Sequence, residues 1–170
     1  MRQGTTLSEI AKITGYSIST VSKALSDSSE ISKETKNKIN KVSKLLGYRP
    51  NKTAISLRSG KNYCIAVIIP SIEDSFYARV YHGIQSEVVN TNYSIITCIT
   101  KESLAKEKYL INKIFNQVDA FIIAASEETI LTGDINHLES IHKSTKPLIF
   151  IDRAVKGIKC CQILSDSTDS

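Results

Sequence analysis

The chain has 170 residues, of which 41% are hydrophobic and 23% are charged, as in a folded protein and unlike a disordered one. Its net charge of +5 is unevenly distributed, since residues 1–62 hold 12 Lys or Arg against 4 Asp or Glu, and residues 63–170 hold 10 against 13. A basic head and a slightly acidic body are expected when only the head contacts a polyanion. The polar N-terminus and the lack of an apolar run near the ~18 residues of a membrane span predict a cytoplasmic protein without a signal peptide.

Residues 6–25 predict two short helices joined by a turn. Thr6 and Glu9 have the spacing of a capping box, and the apolar residues that follow Thr6 repeat with helical period. Gly15 predicts the turn, and Ser17 predicts the cap of the second helix. This layout is that of a DNA-binding helix-turn-helix, whose second helix lies in the major groove with its N-terminal residues at the base edges. An ordinary αα-hairpin is the alternative interpretation of the same pattern.

A third helix is predicted from Lys33 to Leu46, with Ser32 as its cap and Gly47 as its end. Together the three helices predict a small all-α domain over residues 1–50. The domain is expected to end at Pro50, because proline cannot continue a helix.

The next segment, residues 51–62, is predicted as a hinge helix and linker. Within it, Lys52 to Leu57 has the pattern of a short helix, but so few residues are not stable as an isolated helix in water. Contacts from outside the segment are therefore needed to order it.

Residues 63–170 predict a second domain in which strands and helices alternate. The strands are expected at Cys64–Ile69, Ser94–Thr100, Ala120–Ala125, Leu148–Ile151 and Lys159–Leu164, and the helices at Ser75–Asn90, Glu102–Asn116 and Asp134–Lys143. This alternation predicts an α/β doubly wound parallel sheet, which binds ligands at the C-terminal ends of its strands. Those ends are residues 70–77, 126–127 and 152–153, and Asp166.

The cysteines and histidines lack the spacing of a metal site, so no metal and no cofactor are predicted. The four cysteines are expected to be buried, reduced thiols: Cys64, Cys98, Cys160 and Cys161. The three histidines are expected at the surface or at its boundary: His82, His137 and His142. The sequence contains neither a glycine-rich nucleotide loop nor a GxSxG motif, and we expect no enzymatic activity.

Several longer motifs follow one another between Thr6 and Ser167: TLSEIAKITGYSISTVSKAL, ISKETKNKI, LGYRPNKTAISLRSGKN, IAVIIPSIEDSFYARVYHGI, PLIFIDR and ILSDS. In this order they resemble the lactose-repressor (LacI/GalR) family of bacterial transcription regulators. The resemblance implies a transcriptional regulator, in the first place a repressor, that binds a pseudo-palindromic operator as a homodimer and is controlled by a small sugar-like effector. The alternative function is a cytoplasmic solute-binding or enzymatic α/β domain with an incidental basic head.

The resemblance also implies which residues contact DNA. The base-reading positions are Ile18, Ser19 and Lys23. The positions that contact phosphates or orient the head are Ser17, Thr20, Ser22 and Asn51. Leu57, in the hinge helix, is implied to be an apolar wedge in the minor groove.

Residues 63–170 resemble the N-terminal lobe of a periplasmic-binding-protein-like effector core. The resemblance implies that Phe76 and Tyr77 stack on the effector and that Arg153 and Asp166 contact it. Two other interpretations stay open: Phe76 only packs against the sheet, and Arg153 only pairs with a surface carboxylate. Because family members continue into a second α/β lobe, the chain is expected to be a truncated regulator or a fragment.

Overall fold

The computed structural model describes residues 5–50, 56 and 59–164, and the chain divides into two units, residues 1–55 and 56–170. The described part of the first unit contains the helices α1 (Leu7–Thr14), α2 (Ile18–Leu25) and α3 (Lys33–Leu45). The prediction of a small all-α domain with a helix-turn-helix at its start is confirmed.

The helices of the first unit begin at the caps that the sequence predicts. The side chain of Thr6 accepts a hydrogen bond from the backbone N–H of Glu9, and the Glu9 carboxylate accepts one from the backbone N–H of Thr6 at 2.8 Å. Ser17 and Ser32 cap α2 and α3 in the same way, each by accepting from the N–H three residues later. Gly15 ends α1 with a φ of +77°, a left-handed conformation that costs glycine little because it lacks a Cβ.

The three helices share one apolar core. Each contributes a fully buried side chain, Ile10 from α1, Val21 from α2 and Ile39 from α3. Burying such a side chain stabilises a fold by about 1.5–3 kcal/mol. Because this core uses only the inner face of α2, the opposite face of that helix remains exposed, and Ile18 on it is 51% exposed.

The second unit is built on a parallel sheet in the strand order β2-β1-β3-β4-β5. The strands are β1 (Cys64–Ile69), β2 (Ser94–Ile99), β3 (Ala120–Ile123), β4 (Leu148–Asp152) and β5 (Cys161–Leu164). The helices are α4 (Ser75–Val88), α5 (Leu104–Ile114), α6 (Glu127–Thr132) and α7 (Asn136–Lys143), with a 3-10 turn at Phe115–Gln117. The predicted doubly wound α/β fold is confirmed.

Alternate residues of β1 supply the cores on the two faces of the sheet. Ala66 and Ile68 pack in a cluster that includes residues of α5 and α7, whereas Val67 and Ile69 pack with Tyr77 of α4. Because helices cover both faces, β1 is buried almost continuously and its sequence is a continuous apolar run.

The observed elements differ from the predicted ones mainly in the segments that follow the C-terminal ends of the strands. Helix α5 begins at Leu104 and not at Glu102, because Lys101 and Glu102 have left-handed φ values of +54° and +60°. Helix α6 was not predicted, since its six residues are too few for a helical repeat to be distinct in the sequence. Ser126 caps this helix and holds its first turn next to the end of β3.

Two of the four cysteines depart from their expected burial. Cys64 and Cys98 are buried as predicted, but Cys160 is only half-buried and Cys161 is exposed. The difference arises because β5, which starts at Cys161, is an edge strand of the sheet, and its side chains lack a neighbouring strand on one side.

The second unit also contains a buried polar network centred on Glu107 of α5. The Glu107 side chain is fully buried and accepts hydrogen bonds from the backbone N–H of Ser126 at 2.6 Å and from the Thr129 hydroxyl at 2.8 Å. Nε2 of His137, on α7, lies 2.7 Å from Glu107 Oε1. The expectation of a surface position for His137 is therefore wrong, because a carboxylate hidden in the core provides this histidine with a partner.

Within the residues that the structure describes, no helix is long and apolar enough to cross a membrane.

Candidate nucleic-acid interface and sheet-edge site

The N-terminal half of α2 presents two of the three predicted base-reading residues to solvent. Ile18 and Ser19 are exposed on its first turn, while Val21 and Ala24 face the core. Lys23 is on the following turn, and 44% of its side chain is exposed. A helix with a buried inner face and an exposed first turn has the geometry needed to enter a major groove.

Three of the four residues predicted to contact phosphates or to orient the head lie at the cap or in the first five residues of α2. Ser17 uses its hydroxyl as the helix cap, and this oxygen lies 2.9 Å from the hydroxyl of Thr20. Ser22 is half-buried one turn later. Asn51, like the predicted wedge Leu57, lies outside the described residues, and the roles of all five remain predictions.

Lys23 has an acidic partner that the sequence interpretation missed. Its ammonium forms an ion pair with the carboxylate of Glu30, which lies in the loop between α2 and α3. Both side chains are accessible to solvent, at 44% and 64%, so the pair contributes little to stability and Lys23 can leave Glu30 for another acceptor. The acidic residue in the short loop after α2 was the available signal, since such a loop keeps its side chains close to the end of that helix.

The rest of the head is strongly basic. Exposed lysines include Lys33, Lys38, Lys41 and Lys44 of α3. Lys36 of the same helix binds Asp27 at 2.7 Å, and this hydrogen bond lowers the pKa of the aspartate. An excess of positive charge on a small unit attracts phosphates without reading sequence.

At the C-terminal edge of the sheet, Tyr77 is tied to Asp152. Tyr77, in the first turn of α4, is only 4% exposed, and its hydroxyl donates to Asp152 Oδ2 at 2.6 Å. Burial and this hydrogen bond raise the pKa of Tyr77, so the hydroxyl stays protonated and acts as a donor. The half-buried ring of Phe76 meets the Tyr77 ring edge-on at 5.2 Å. Tyr77 therefore has little free ring surface and is placed to orient Asp152, whereas Phe76 retains part of its ring for an outside contact.

Arg153 is held by a carboxylate that follows β2. Its Nη1 and Nη2 donate to the two oxygens of Glu102 at 2.6 and 2.8 Å, and Nη1 also donates to the carbonyl of Ala125 at 2.9 Å. The hydrogen bond from Arg153 lowers the pKa of Glu102, and the same bond raises the pKa of Arg153. Glu102 Oε2 accepts a further bond from the N–H of Glu127, the first residue of α6, at 2.7 Å.

The C-terminal ends of the strands thus bring together Phe76, Tyr77 and Arg153 with two acids, Asp152 and Glu102. We call this group the sheet-edge site. The sequence interpretation missed Glu102 because it considered the ends of the other strands and not that of β2. The rule that parallel sheets bind ligands at their C-terminal strand ends would have included it. Asp166, the fourth predicted effector contact, lies outside the described residues. Among the described residues, no three or more His, Cys, Asp or Glu side chains are grouped so that they could hold a metal ion.

Comparison with known proteins finds a family match to the first unit and relatives that match both units. Residues 6–51 match the family described as bacterial regulatory proteins, lacI family. Over 162 residues the chain is 33% identical to the probable HTH-type transcriptional regulator EndR of Paenibacillus polymyxa, covering 94% of this chain and 46% of that protein. It is 31% identical over 145 residues to catabolite control protein A of Priestia megaterium, covering 85% of this chain and 42% of that protein.

Two solved structures share the fold. The lac repressor dimer bound to operator and the anti-inducer ONPF matches 96% of this chain with a TM-score of 0.77 at 20% identity, over 49% of the repressor chain. A LacI-family transcriptional regulator from Silicibacter pomeroyi matches 94% with a TM-score of 0.74 at 24% identity, over 47% of that chain. The chain spans about half the length of the curated relatives that it matches. A helical head followed by a parallel α/β unit is the architecture shared by these structures.

Proposed function

We propose that this chain is a sequence-specific DNA-binding transcriptional regulator of the lacI family, because its residues 6–51 match the family described as bacterial regulatory proteins, lacI family. One observation carries the proposal: α2 is fixed to a core by Val21 and Ala24 and presents Ile18 and Ser19 outward on its capped first turn. In a DNA-binding helix-turn-helix, the first turn of the second helix is the part that reaches base edges.

Each base-reading residue offers a different contact in the major groove. Ile18 offers only apolar contact, as to a thymine methyl group, and Ser19 can donate or accept at several bases. Lys23 donates only, which favours the acceptors of guanine. The excess positive charge of the head supplies the sequence-independent part of the affinity through phosphate contacts.

We further propose a homodimeric repressor that binds a pseudo-palindromic operator and acts in the cytoplasm. Support comes from the shared fold with the lac repressor, whose structure is that of a dimer on its operator. A small sugar or sugar derivative is the proposed effector, bound at the sheet edge with Arg153 and Phe76 among its contacts. Hydroxyl groups suit this edge because it offers both carboxylate acceptors and guanidinium donors.

The proposal is tested by selecting bound sites from random duplex DNA with the 170-residue chain, followed by affinity measurements at several salt concentrations. We expect an enriched pseudo-palindrome and an affinity that falls steeply as salt rises, because bound phosphates release counterions. Ser19→Ala should weaken binding to the selected site, and Ser140→Ala, on α7 of the second unit, is the matched control. Absence of any enriched sequence, with no salt dependence, would instead support a solute-binding or enzymatic domain with an incidental basic head.

A further inference from the structure

Glu102 is held in an uncommon backbone conformation at the place where its carboxylate meets Arg153. It and Lys101 are two successive non-glycine residues with left-handed φ values, just after β2. The backbone N–H of Lys101 donates to the carbonyl of Pro70 at 3.0 Å, and that of Ser103 donates to Thr100 at 3.3 Å, which fixes the turn from both sides. Unfavourable backbone conformations persist where the surrounding structure determines them, and they are concentrated at binding sites.

The turn directs the Glu102 carboxylate onto the guanidinium of Arg153. Both carboxylate oxygens are engaged, each by a different guanidinium nitrogen, and one of them also by the backbone N–H of Glu127. A bidentate carboxylate occupies the same fork of donors that would otherwise bind a phosphate or carboxylate of a ligand. The guanidinium of Arg153 therefore already binds an anion, the Glu102 carboxylate.

The charges around Arg153 strengthen this effect. Asp152 Oδ2 lies 3.7 Å from Nε of Arg153, so one guanidinium faces two carboxylates. An anionic ligand that displaced Glu102 would leave that carboxylate without its cation and would approach Asp152 with like charge. A neutral ligand has no such repulsion, and its hydroxyl groups can bond to carboxylate oxygens and to guanidinium N–H groups.

We propose that Glu102 determines the specificity of the effector site: by occupying Arg153 it excludes phosphorylated and carboxylate effectors and restricts the site to uncharged polyhydroxy compounds. This inference rests on the proposed function, since it assumes that the sheet edge is where an effector binds. It names the chemical class of the effector and adds a residue to the site.

The test measures anion binding at Arg153 in the 170-residue chain. The Nε–H resonance of Arg153, assigned by its loss in Arg153→Lys, is followed by NMR during titration with inorganic phosphate at constant ionic strength. We expect no saturable shift in the unmodified chain, and at least about tenfold tighter phosphate binding in Glu102→Gln. Glutamine keeps an oxygen that can accept from Arg153 and from the N–H of Glu127, but it removes the negative charge.

Glu128→Gln is the matched control. Glu128 follows Glu127 in α6, and its carboxylate accepts from the N–H of Leu104 and not from Arg153. The substitution therefore removes one nearby negative charge without changing the partner of Arg153. Phosphate should bind this variant no better than it binds the unmodified chain. Equal gains in Glu128→Gln and Glu102→Gln would overturn the proposal, because they would reflect net charge alone.

A second measurement does not depend on the folding of a variant. Glycerol and glycerol 3-phosphate are titrated into the unmodified chain, and the phosphate ester is expected to bind no tighter than the neutral polyol. Tighter binding of the ester, with a shift of the Arg153 resonance, contradicts the proposal and leaves DNA binding unaffected. If the same unmodified chain shows no specific DNA binding while phosphate is still excluded from Arg153, the regulator function is contradicted instead.

Discussion

Lys23 and Arg153, two cations with predicted ligand contacts, are each paired with a carboxylate of the same chain. The Lys23–Glu30 pair is exposed, with 44% and 64% of the two side chains accessible. The Arg153–Glu102 pair is more enclosed, at 28% and 36%, and is bidentate. We therefore expect DNA to displace Glu30 from Lys23 easily, because exposed pairs contribute about 0–1 kcal/mol. The pair at the sheet edge is expected to persist.

The first prediction concerns base reading by Lys23. Lys23→Ala should weaken the preference at one base pair of each half-site by about 1–3 kcal/mol, because the lysine donates to guanine acceptors. The measurement compares affinities for the selected site and for single-base variants of it. Lys33→Ala, an exposed lysine of the head on α3, is the control and should lower the affinity for every sequence alike. If Lys23→Ala behaves in the same uniform way, Lys23 contacts a phosphate.

The second prediction concerns the acidic partner of that lysine. Glu30→Gln should strengthen binding to the selected site about twofold, because Lys23 then no longer has to leave a carboxylate before it contacts a base. Asp27→Asn is the control, since it removes one negative charge from the other ion pair described in the head, that of Asp27 with Lys36 of α3. Comparison of the two variants at low salt distinguishes the release of Lys23 for a base contact from a general gain in positive charge. Equal gains in both variants would mean that only net charge matters.

At the scale of helices and strands, the sequence was informative wherever the structure is determined locally. The boundaries of β1 agree with the prediction, because a continuous apolar run ends at Pro70. The start of α2 also agrees, because a cap such as Ser17 acts within three residues. In contrast, Glu107 occurs in a lysine-rich helical pattern and would be expected at the surface. Its burial depends on Ser126 and His137, which only the tertiary structure brings close.

The third prediction tests what this network contributes. Glu107→Ala should lower the free energy of unfolding of the second unit by about 3–5 kcal/mol, because it leaves buried hydrogen-bond donors without an acceptor, at about 1–3 kcal/mol each. The N–H of Ser126 and the Thr129 hydroxyl would lose their acceptor in a buried site. The quantity to measure is the protection of β1 and β3 amides against hydrogen exchange, which reports opening of this unit alone.

Glu139→Ala provides the comparison for Glu107→Ala. Glu139 pairs with Lys143 on the exposed side of α7 at 2.7 Å, with i,i+4 spacing. Loss of such a pair should cost no more than about 0.5 kcal/mol. Equal loss of protection in the two variants would show that the buried network has no special role.

At the scale of the whole molecule, the two units follow from sequence to different degrees. The fold of the head could be predicted almost residue by residue, because its core, its caps and the exposed face of α2 follow from local spacing over residues 6–46. The sheet-edge site could be predicted only in part. Arg153 and Glu102 are 51 residues apart in the chain, and their contact depends on the order of β2, β1, β3 and β4 in the sheet. Local patterns indicate which residues end strands, but not which strand ends are neighbours.

The last prediction concerns Leu57, in the segment that joins the two units. This residue lies outside the described part of the chain, and its role as a wedge remains the expectation drawn from the family resemblance. Segments of a few residues do not form stable helices alone, so the predicted hinge helix would need a partner, such as the second hinge helix of the proposed dimer on DNA. An apolar side chain inserted between base pairs unstacks them and kinks the duplex, and the cost of a few kcal/mol is offset by the wider contact that bending allows.

We therefore expect Leu57→Ala to lower affinity for the selected operator and to remove most of its bend, as measured by the mobility of complexes in which the site is moved along a fragment. Affinity for random DNA should change little, because it rests on phosphate contacts of the head. Leu45→Ala, which removes an exposed leucine at the end of α3, is the control and should leave the bend intact. Flexible pyrimidine–purine steps at the operator centre should favour binding of the unmodified chain but not of Leu57→Ala, since the wedge reads deformability. An operator that stays straight in complex with the unmodified protein would show that Leu57 acts only as a spacer between the two units.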